Sequence, residues 1–348
     1  MVSASARRSR FSRVLIATLF AITFAAACKG PTAPTPPPPP PPPPPPVVAN
    51  PPTITCPSPV MTSTTSAAGK VVTFETPAAV DGQPPVTVAC SPMSGSTFPI
   101  GTTMVECTVR DSLDRSNACT FAVTVTKTPE LRFTKFLAFG DSITAGEVTV
   151  PVTGVFPQSS GFPNFKLQIL TAASYPTVLR ELMQGRYTSQ SASIVVANEG
   201  VPGEMALASA TFTRFSQALS SHQPDVLLLM HGYNDVSNPS VITATVNAVD
   251  NMAAEARNRG VGRVFMINMA PGKPGGRNSR PPSTSLAFNE RLLKAANGEG
   301  AVYVDIHSAL LPAVDANIGV DGLHPTEIGY RRIAETIFAA IQATLEVP

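Results

Sequence analysis

Four short polar clusters contain the residue types that acyl transfer requires: a hydroxyl, an imidazole, a carboxylate and N–H donors. A serine becomes a nucleophile when a histidine takes its proton, an acid orients that histidine, and N–H groups stabilise the developing oxyanion. Each cluster alone could be a simple turn, so this chemistry requires a fold that brings them together. The clusters are Gly140-Asp141-Ser142, Asn198 to Glu204, His231 to Asp235, and Asp321 to Pro325.

The first cluster follows the apolar run 136–139. A buried strand that ends in Gly-Asp-Ser would deliver the Ser142 hydroxyl to the end of a sheet, through a turn that needs the freedom of glycine. The alternative is that Ser142 only caps a helix after the strand. We interpret Asp141 as a turn residue.

The base must come from one of four histidines, and among them His324 has an aspartate, Asp321, three residues before it. That offset lets both side chains point into one site from a single loop. His324 could instead simply start the last helix. His222 is predicted to be solvated in a polar turn, His231 to line or pack beside the third cluster, and His307 to follow a strand.

Apolar runs alternate with helical patterns from residue 135 onward, which predicts an α/β fold. We expect a three-layer, doubly wound, parallel five-stranded sheet of the flavodoxin-like kind, whose ligands bind at the carboxyl ends of the strands. All four polar clusters would then meet at one edge of the sheet. The predicted strands are 135–139, 192–197, 225–231, 262–268 and 301–305, with helices near 175–183, 239–258 and 325–345.

The four clusters, in this order, resemble the SGNH/GDSL hydrolase superfamily across about 133–346. The resemblance implies that Ser142 is the nucleophile, that His324 is the base and that Asp321 orients it. It also implies an oxyanion hole formed by the Ser142 N–H, the Gly203 N–H and the Asn234 amide. Gly200 competes with Gly203 for this role, and Asn234 could instead belong to an Asx turn.

The implied activity is that of a serine esterase working through an acyl-enzyme, without a metal or an organic cofactor. Its substrate would be a lipid ester, as for a lysophospholipase or acyl-esterase, or an O-acetylated carbohydrate. The alternative is a surface adhesion or binding protein with a catalytically weak hydrolase domain. Two Pro- and Gly-containing stretches are predicted to shape or cover the site, one between Glu147 and Ser174 and the other from Pro271 to Ser285.

Residues 51–128 are rich in Val, Thr and Ser and alternate in polarity between frequent turns, which predicts a small all-β sandwich. The segment resembles the hyalin-repeat (HYR) family of immunoglobulin-like modules, on the pieces Cys90-Ser91-Pro92, Ser94 to Gly101 and Cys119-Thr120-Phe121. The resemblance implies an adhesion or spacing module, with a possible surface or glycan contact.

The same segment contains four cysteines, which in an exported β module indicates disulfides. Three pairings are possible, and we favour Cys90 with Cys107 and Cys56 with Cys119. A zinc site is disfavoured, because the segment has no Cys-x-x-Cys spacing and no histidine.

The N-terminus has the pattern of a targeting segment at 1–27. Four arginines between positions 7 and 13 precede an apolar run that is short for a membrane span. The run ends in Ala25-Ala26-Ala27-Cys28, which resembles a bacterial lipobox and implies lipid attachment at Cys28; an ordinary signal peptide is the alternative. Lys29 favours the outer membrane or the cell surface over inner-membrane retention.

Residues 28–50 form a predicted linker with eleven consecutive prolines, Pro36 to Pro46. A polyproline II stalk of about 3.1 Å per residue would hold the later domains away from a membrane; the alternative is a ligand for a proline-binding module. The remaining residues, 129–348, are predicted to form the hydrolase domain. The net charge of +2 comes from the arginines of the targeting segment, so no basic patch suggests nucleic-acid binding.

Overall fold

The computed structural model describes residues 49–152 and 164–347. The predicted targeting segment, Cys28, nearly all of the linker and the central part of the stretch after Glu147 lie outside these residues. Within the described ranges, none of the helices is both long enough and apolar enough to cross a membrane.

Five parallel strands form the central sheet of the C-terminal region. Numbered along the chain, the strand order is second, first, third, fourth, fifth, which is the flavodoxin-like order. The α/β fold and its parallel sheet are therefore as predicted. With two strands of a separate hairpin included, the main strands are β1 Lys135–Gly140, β2 Glu147–Pro151, β3 Phe165–Ile169, β4 Val195–Gly200, β5 Val226–Met230, β6 Arg263–Ile267 and β7 Val302–Val304. The two-residue strands Glu130–Leu131 and Glu346–Val347 form one further antiparallel pair.

Helices lie between the strands, as expected when each parallel strand needs a crossover. The last helix starts at a cap formed by Thr326, whose hydroxyl accepts the Gly329 N–H. The helices are α1 Ser142–Ala145, α2 Tyr175–Arg186, α3 Ser209–His222, α4 Ile242–Asn258, α5 Pro282–Glu299, α6 Ile306–Leu310, α7 Val314–Asn317 and α8 Glu327–Leu345, with short 3₁₀ turns at Thr188–Ser193, Asp235–Ser237, Pro239–Val241 and Leu311–Ala313.

The sheet is buried on both faces, which is why its central strands are nearly all apolar. Every residue of β5 is buried, and β1 is buried after its first residue. Gly140 is the register partner of both Gly200 and Met230. The first three polar clusters therefore begin side by side, at the point where the strand order reverses.

Two elements differ from the sequence prediction. The second strand begins three residues late, at Val195 instead of 192, because Thr188–Ser193 forms 3₁₀ turns. The stretch after the first cluster is not simply a loop, since β2 and β3 pair as an antiparallel hairpin. Its pieces Val155-Phe156-Pro157 and Gly161-Phe162-Pro163 lie outside the described residues.

The N-terminal region is strand-rich and has a hydrophobic cluster of its own around Phe98, Val105 and Phe121. Its largest sheet has four strands in the order Val60–Thr64, Ser116–Lys127, Gly101–Arg110, Thr87–Ser91. Two strand pairs complete the region, Thr53–Ile54 with Ala79–Val80 and Lys70–Val71 with Thr97–Phe98.

Two disulfides connect strands and turns of this region, Cys56–Cys119 and Cys90–Cys107. This is the pairing favoured above. Cys90 and Cys107 are direct register partners on neighbouring antiparallel strands. Both bonds lie against the hydrophobic cluster, so they cross-link the strands that form it.

Candidate active site

Ser142 is the first residue of α1, directly beyond the end of β1. The turn requires glycine at Gly140, because a Cβ there would lie 2.0 Å from the Met230 carbonyl oxygen. The short helix ends at Gly146, whose φ of +93° is in the left-handed region. Ser142 is 4% exposed, so its hydroxyl lies in a largely closed site.

Asp141 fixes this turn, as the sequence suggested. Its fully buried carboxylate accepts the Ile143 N–H at 3.2 Å and the Tyr233 N–H at 3.3 Å. Burial raises the pKa of Asp141 above its ordinary value, while the nearby His231 and His324 act against this rise. Because Tyr233 belongs to the third cluster, Asp141 ties the turn that carries Ser142 to the loop that carries Asn234.

The Asp321 to His324 loop folds around the carboxylate of Asp321. One carboxylate oxygen accepts the backbone N–H groups of Leu323 and His324, both at 3.1 Å, and the other lies 2.6 Å from the His324 Nδ1. The opposite ring nitrogen, Nε2, lies 3.0 Å from the Ser142 Oγ. Three side chains from opposite ends of the domain thus form one relay from carboxylate to imidazole to hydroxyl.

Asp321 is ionised in this arrangement. Burial alone would raise its pKa, but the hydrogen bonds from His324 and from Asn278 outweigh burial and lower it. Asn278 donates its side-chain amide to the Asp321 carboxylate at 3.0 Å and its backbone N–H to the Asp321 carbonyl at 2.7 Å. The stretch from Pro271 to Ser285, the capping loop, therefore packs on Asp321, the acid of the relay. Its last residues, Pro282 to Ser285, belong to α5.

The two glycines of the second cluster have different surroundings. A Cβ on Gly200 would lie 2.1 Å from the Ala145 nitrogen, and the Gly200 N–H donates to the Asn198 side chain at 3.0 Å. Gly203 has a φ of +77° and open space around its Cα, and its N–H has no acceptor within the described residues. Gly203 is thus free to donate to a substrate, whereas Gly200 is a packing position.

Asn234 is held beside Gly203 by one of its two amide hydrogens. Its Nδ2 donates to the Glu204 carbonyl at 2.9 Å, which leaves the second N–H for another acceptor. The carboxylate of the next residue, Asp235, accepts the N–H groups of Ala206 and Leu207 at 2.8 and 2.9 Å. Asp235 therefore locks the second cluster onto the third.

A partly buried ion-pair network, which the sequence did not predict, lies behind these donors. The Arg214 guanidinium pairs with both Glu204 carboxylate oxygens and lies over the Phe139 ring, 4.0 Å from its centroid. His231 contacts the same carboxylate, with Nε2 at 3.1 Å from Oε2. Burial raises the pKa of Glu204, but Arg214 and His231 outweigh it and hold that pKa at about 2.

No local pattern could have indicated this network, because its members come from a loop, the middle of α3 and the end of β5. His222 was read as a solvated turn residue, but it ends α3 and lies 2.8 Å from a Glu199 carboxylate oxygen. His307 is the second residue of α6 and makes no contact with the relay among the described residues; burial lowers its pKa.

Glu147 was also missed as a site residue. Its Oε2 lies 3.2 Å from the His324 Nε2, the nitrogen that faces Ser142. The backbone of Glu147 is fixed by Tyr330, whose hydroxyl donates to the Glu147 carbonyl at 2.7 Å. The turn at Gly146 and the strand β2 that follows it place this carboxylate beside the histidine.

Sequence comparison adds two family matches to this geometry. The model of the GDSL-like lipase/acylhydrolase family matches residues 138–332, and the HYR domain model matches residues 48–125. The first match spans all four polar clusters. No curated protein matches the chain significantly.

Several solved structures are similar to the C-terminal region. A lipase/acylhydrolase from Enterococcus faecalis is 20% identical, covering 61% of this chain and 97% of its own, with a TM-score of 0.47. An alpha/beta hydrolase enzyme from the Lake Arreo metagenome is 20% identical, covering 60% and 94%, with a TM-score of 0.46. An acetylxylan esterase from Geobacillus stearothermophilus is 18% identical, covering 60% and 94%, with a TM-score of 0.44.

Proposed function

The chain belongs to the GDSL-like lipase/acylhydrolase family and is an ester-hydrolysing enzyme, and from this premise we propose that Ser142, His324 and Asp321 are its catalytic residues. The observation that carries the proposal is the relay, with 2.6 Å between Asp321 Oδ2 and His324 Nδ1 and 3.0 Å between Nε2 and Ser142 Oγ. Both distances lie within the range in which a base can accept a proton directly.

Acylation begins when Ser142 Oγ attacks the ester carbonyl carbon and its proton passes to Nε2 of His324. Asp321 keeps the other ring proton on Nδ1 and stabilises the imidazolium that forms. The tetrahedral intermediate then collapses, and the Nε2 proton passes to the leaving alcohol oxygen. The product of this half-reaction is an acyl-enzyme on Ser142.

The oxyanion is stabilised by the backbone N–H groups of Ser142 and Gly203 and by the free amide hydrogen of Asn234. Support for Gly203 comes from its unoccupied N–H and the open space beside it, and Gly200 lacks both features. In deacylation, His324 takes a proton from water as the water oxygen attacks the acyl carbon. The carbon–Oγ bond then breaks, His324 returns the proton to the Ser142 Oγ, and the acid leaves.

We further propose that the enzyme is exported and acts while attached to a membrane. The two disulfides suggest an extracellular protein. Export through the segment 1–27 and lipid attachment at Cys28 would tether the enzyme to the outer membrane or cell surface, with the proline-rich linker as a stalk. Mass spectrometry of the N-terminal peptide, isolated from cells, tests this directly: a lipidated Cys28 supports it, and an unmodified Cys28 contradicts it.

The substrate in this proposal is a carboxylic ester, either of a lipid or of an O-acetylated carbohydrate. The N-terminal sandwich would contact a surface or a glycan. The alternative of a binding protein with a silent hydrolase domain has a clear experimental signature. Such a protein would bind a surface without turnover, and Ser142 would be dispensable for everything it does.

The test measures hydrolysis of p-nitrophenyl acetate, p-nitrophenyl esters of longer acids, a lysophospholipid and acetylated xylan. Ser142→Ala is compared with Ser221→Ala, an exposed serine of α3. We expect at least one substrate to be turned over by wild type and Ser221→Ala, and not by Ser142→Ala. Equal rates in all three proteins, or no turnover of any ester, would contradict the proposal.

A further inference from the structure

Two carboxylates face the two ring nitrogens of His324. Asp321 contacts Nδ1, as the relay requires, whereas Glu147 Oε2 lies 3.2 Å from Nε2. Ser142 Oγ shares the same Nε2 at 3.0 Å. The Glu147 side chain is only 13% exposed, so water screens its charge weakly.

The contact between Glu147 and Nε2 is more favourable in one protonation state of the imidazole than in the other. When the ring is neutral and its proton is on Nδ1, Nε2 presents a lone pair, to which a carboxylate oxygen has nothing to donate. When Nε2 carries a proton, the ring is positively charged, and the carboxylate 3.2 Å away attracts it. Glu147 therefore stabilises the imidazolium more than the neutral ring.

We propose that Glu147 is a further catalytic residue, which stabilises the protonated His324 formed during acyl transfer. The inference rests on the proposed function of the relay. As the Oγ–carbon bond forms, the serine proton moves to Nε2, and the Glu147 carboxylate attracts the positively charged ring that results. As the bond to the leaving alcohol breaks, that proton passes to the alcohol oxygen, and Glu147 stays anionic throughout.

The position of Glu147 is built into the fold. The turn at Gly146 sends the chain directly into the hairpin, and Tyr330 holds the Glu147 carbonyl. The hairpin also contacts the loop that leads to His324, because the Val320 N–H donates to the Thr149 hydroxyl at 3.2 Å. Carboxylate and imidazole are thus fixed on two elements that are joined to each other.

The other titratable groups around His324 cannot replace Glu147. Asp321 occupies Nδ1, and Asp141 acts on the ring through space while its oxygens accept backbone N–H groups. Tyr330 of α8 donates to a backbone carbonyl, and the capping loop presents the neutral amide of Asn278 to Asp321. Among the described residues, Glu147 is the one charged group in contact with Nε2.

The primary test is the pH profile of kcat/KM for Glu147→Gln, a near-isosteric change that removes the charge. Removing a carboxylate beside an imidazolium makes the ring lose its proton more easily, so the acid limb should move to lower pH by about 1 unit. On the plateau above the limb, kcat should fall by about 3–10-fold, because the imidazolium loses stabilisation in the transition state, while KM stays constant.

Two variants control for charge and for general effects of the substitution. Glu327→Gln makes the same change on an exposed residue three positions after His324, and its profile should coincide with wild type. Glu147→Asp keeps the charge but shortens the side chain, so its acid limb should lie between those of wild type and Glu147→Gln.

A measurement independent of turnover completes the test. The imidazole titration of His324 is followed by ¹⁵N NMR in Ser142→Ala and in Ser142→Ala/Glu147→Gln, and the midpoint should be about 1 pH unit lower in the double variant. Coinciding midpoints, or coinciding acid limbs, would overturn the inference. If wild type shows no more activity than Ser142→Ala, the proposed function fails, and the titration still decides whether Glu147 acts on His324.

Discussion

The sandwich and the α/β domain differ in where they bury polar groups. Within residues 49–128 the buried polar or charged residue is Asp111, which pairs with Arg115 and takes part in a turn. In the α/β domain, buried polar residues concentrate around one edge of the sheet, as at Asp141, Asp321 and His324. Buried polar groups destabilise a fold unless they are paired, so this concentration marks the part of the molecule that is built for chemistry.

The two regions also differ in how they are held together. The sandwich has a small hydrophobic cluster and two disulfides, whereas the α/β domain has a continuous core around its sheet. Small domains bury too little apolar surface to be stable without such cross-links. We therefore expect changes at the sheet edge to affect catalysis, and changes at the disulfides to affect stability alone.

Among changes at the sheet edge, we expect Asn234→Ala to have the largest effect on kcat. Loss of one oxyanion donor should lower kcat by about 10²–10³-fold. The matched control is Asn238→Ala, an exposed asparagine four residues later, which should leave kcat unchanged. If both variants keep wild-type kcat in steady-state ester hydrolysis, Asn234 is not an oxyanion donor.

A smaller effect is expected for Glu204→Gln, which breaks the ion pair behind the oxyanion loop but leaves the Glu204 carbonyl that holds Asn234. The loop should loosen and kcat should fall by about tenfold, a loss of about 1.4 kcal/mol of transition-state stabilisation, with little change in KM. Glu204 is a positioning residue, so Glu204→Asp, which keeps the charge, should recover part of kcat. A change confined to KM would place Glu204 in substrate binding instead.

The same variant has a signature in the pH dependence of stability. The pKa of Glu204 in the folded protein is about 2, below its ordinary 4.5. Its contribution to stability is therefore complete above about pH 4.5 and is lost as the pH falls through about 2. In thermal denaturation, the Tm of wild type should be higher than that of Glu204→Gln at pH 6, and the difference in Tm should shrink towards pH 2. A difference in Tm that does not depend on pH would show that the charge is not responsible.

Much of this domain could be predicted from sequence because its signals are local. The apolar run before Ser142 and the Asp321-x-x-His324 spacing each lie within a few residues. The alternation of strands and helices is likewise a series of short, local patterns. The network of Glu204, Arg214 and His231 could not be predicted, since three separate elements must first be packed together.

The position of Glu147 escaped prediction for a related reason. Its stretch looked like a Pro- and Gly-rich loop, and only antiparallel pairing of Glu147–Pro151 with Phe165–Ile169 returns its carboxylate to His324. Asp235 likewise needed the folded structure, because its backbone partners, Ala206 and Leu207, lie almost thirty positions earlier.

The smallest effect on catalysis is expected for Cys56→Ser/Cys119→Ser. The disulfide spans 63 positions, and its loss should lower the free energy of unfolding of the sandwich by about 4 kcal/mol through the entropy of the open chain. Ester hydrolysis at 25 °C should remain at the wild-type rate. Denaturant unfolding, monitored together with activity, checks both; a parallel loss of activity would show that the sandwich supports the catalytic site.

The central claim, that Ser142 is the nucleophile, is tested most directly by covalent labelling. The whole chain is treated with a fluorophosphonate, which forms a stable bond to an activated serine, and the modified residue is identified by mass spectrometry of peptides. We predict one adduct per chain, on Ser142, and strongly reduced labelling in His324→Ala, which has no base to activate the hydroxyl. An adduct on another residue, or none on Ser142 in an active preparation, would contradict the account.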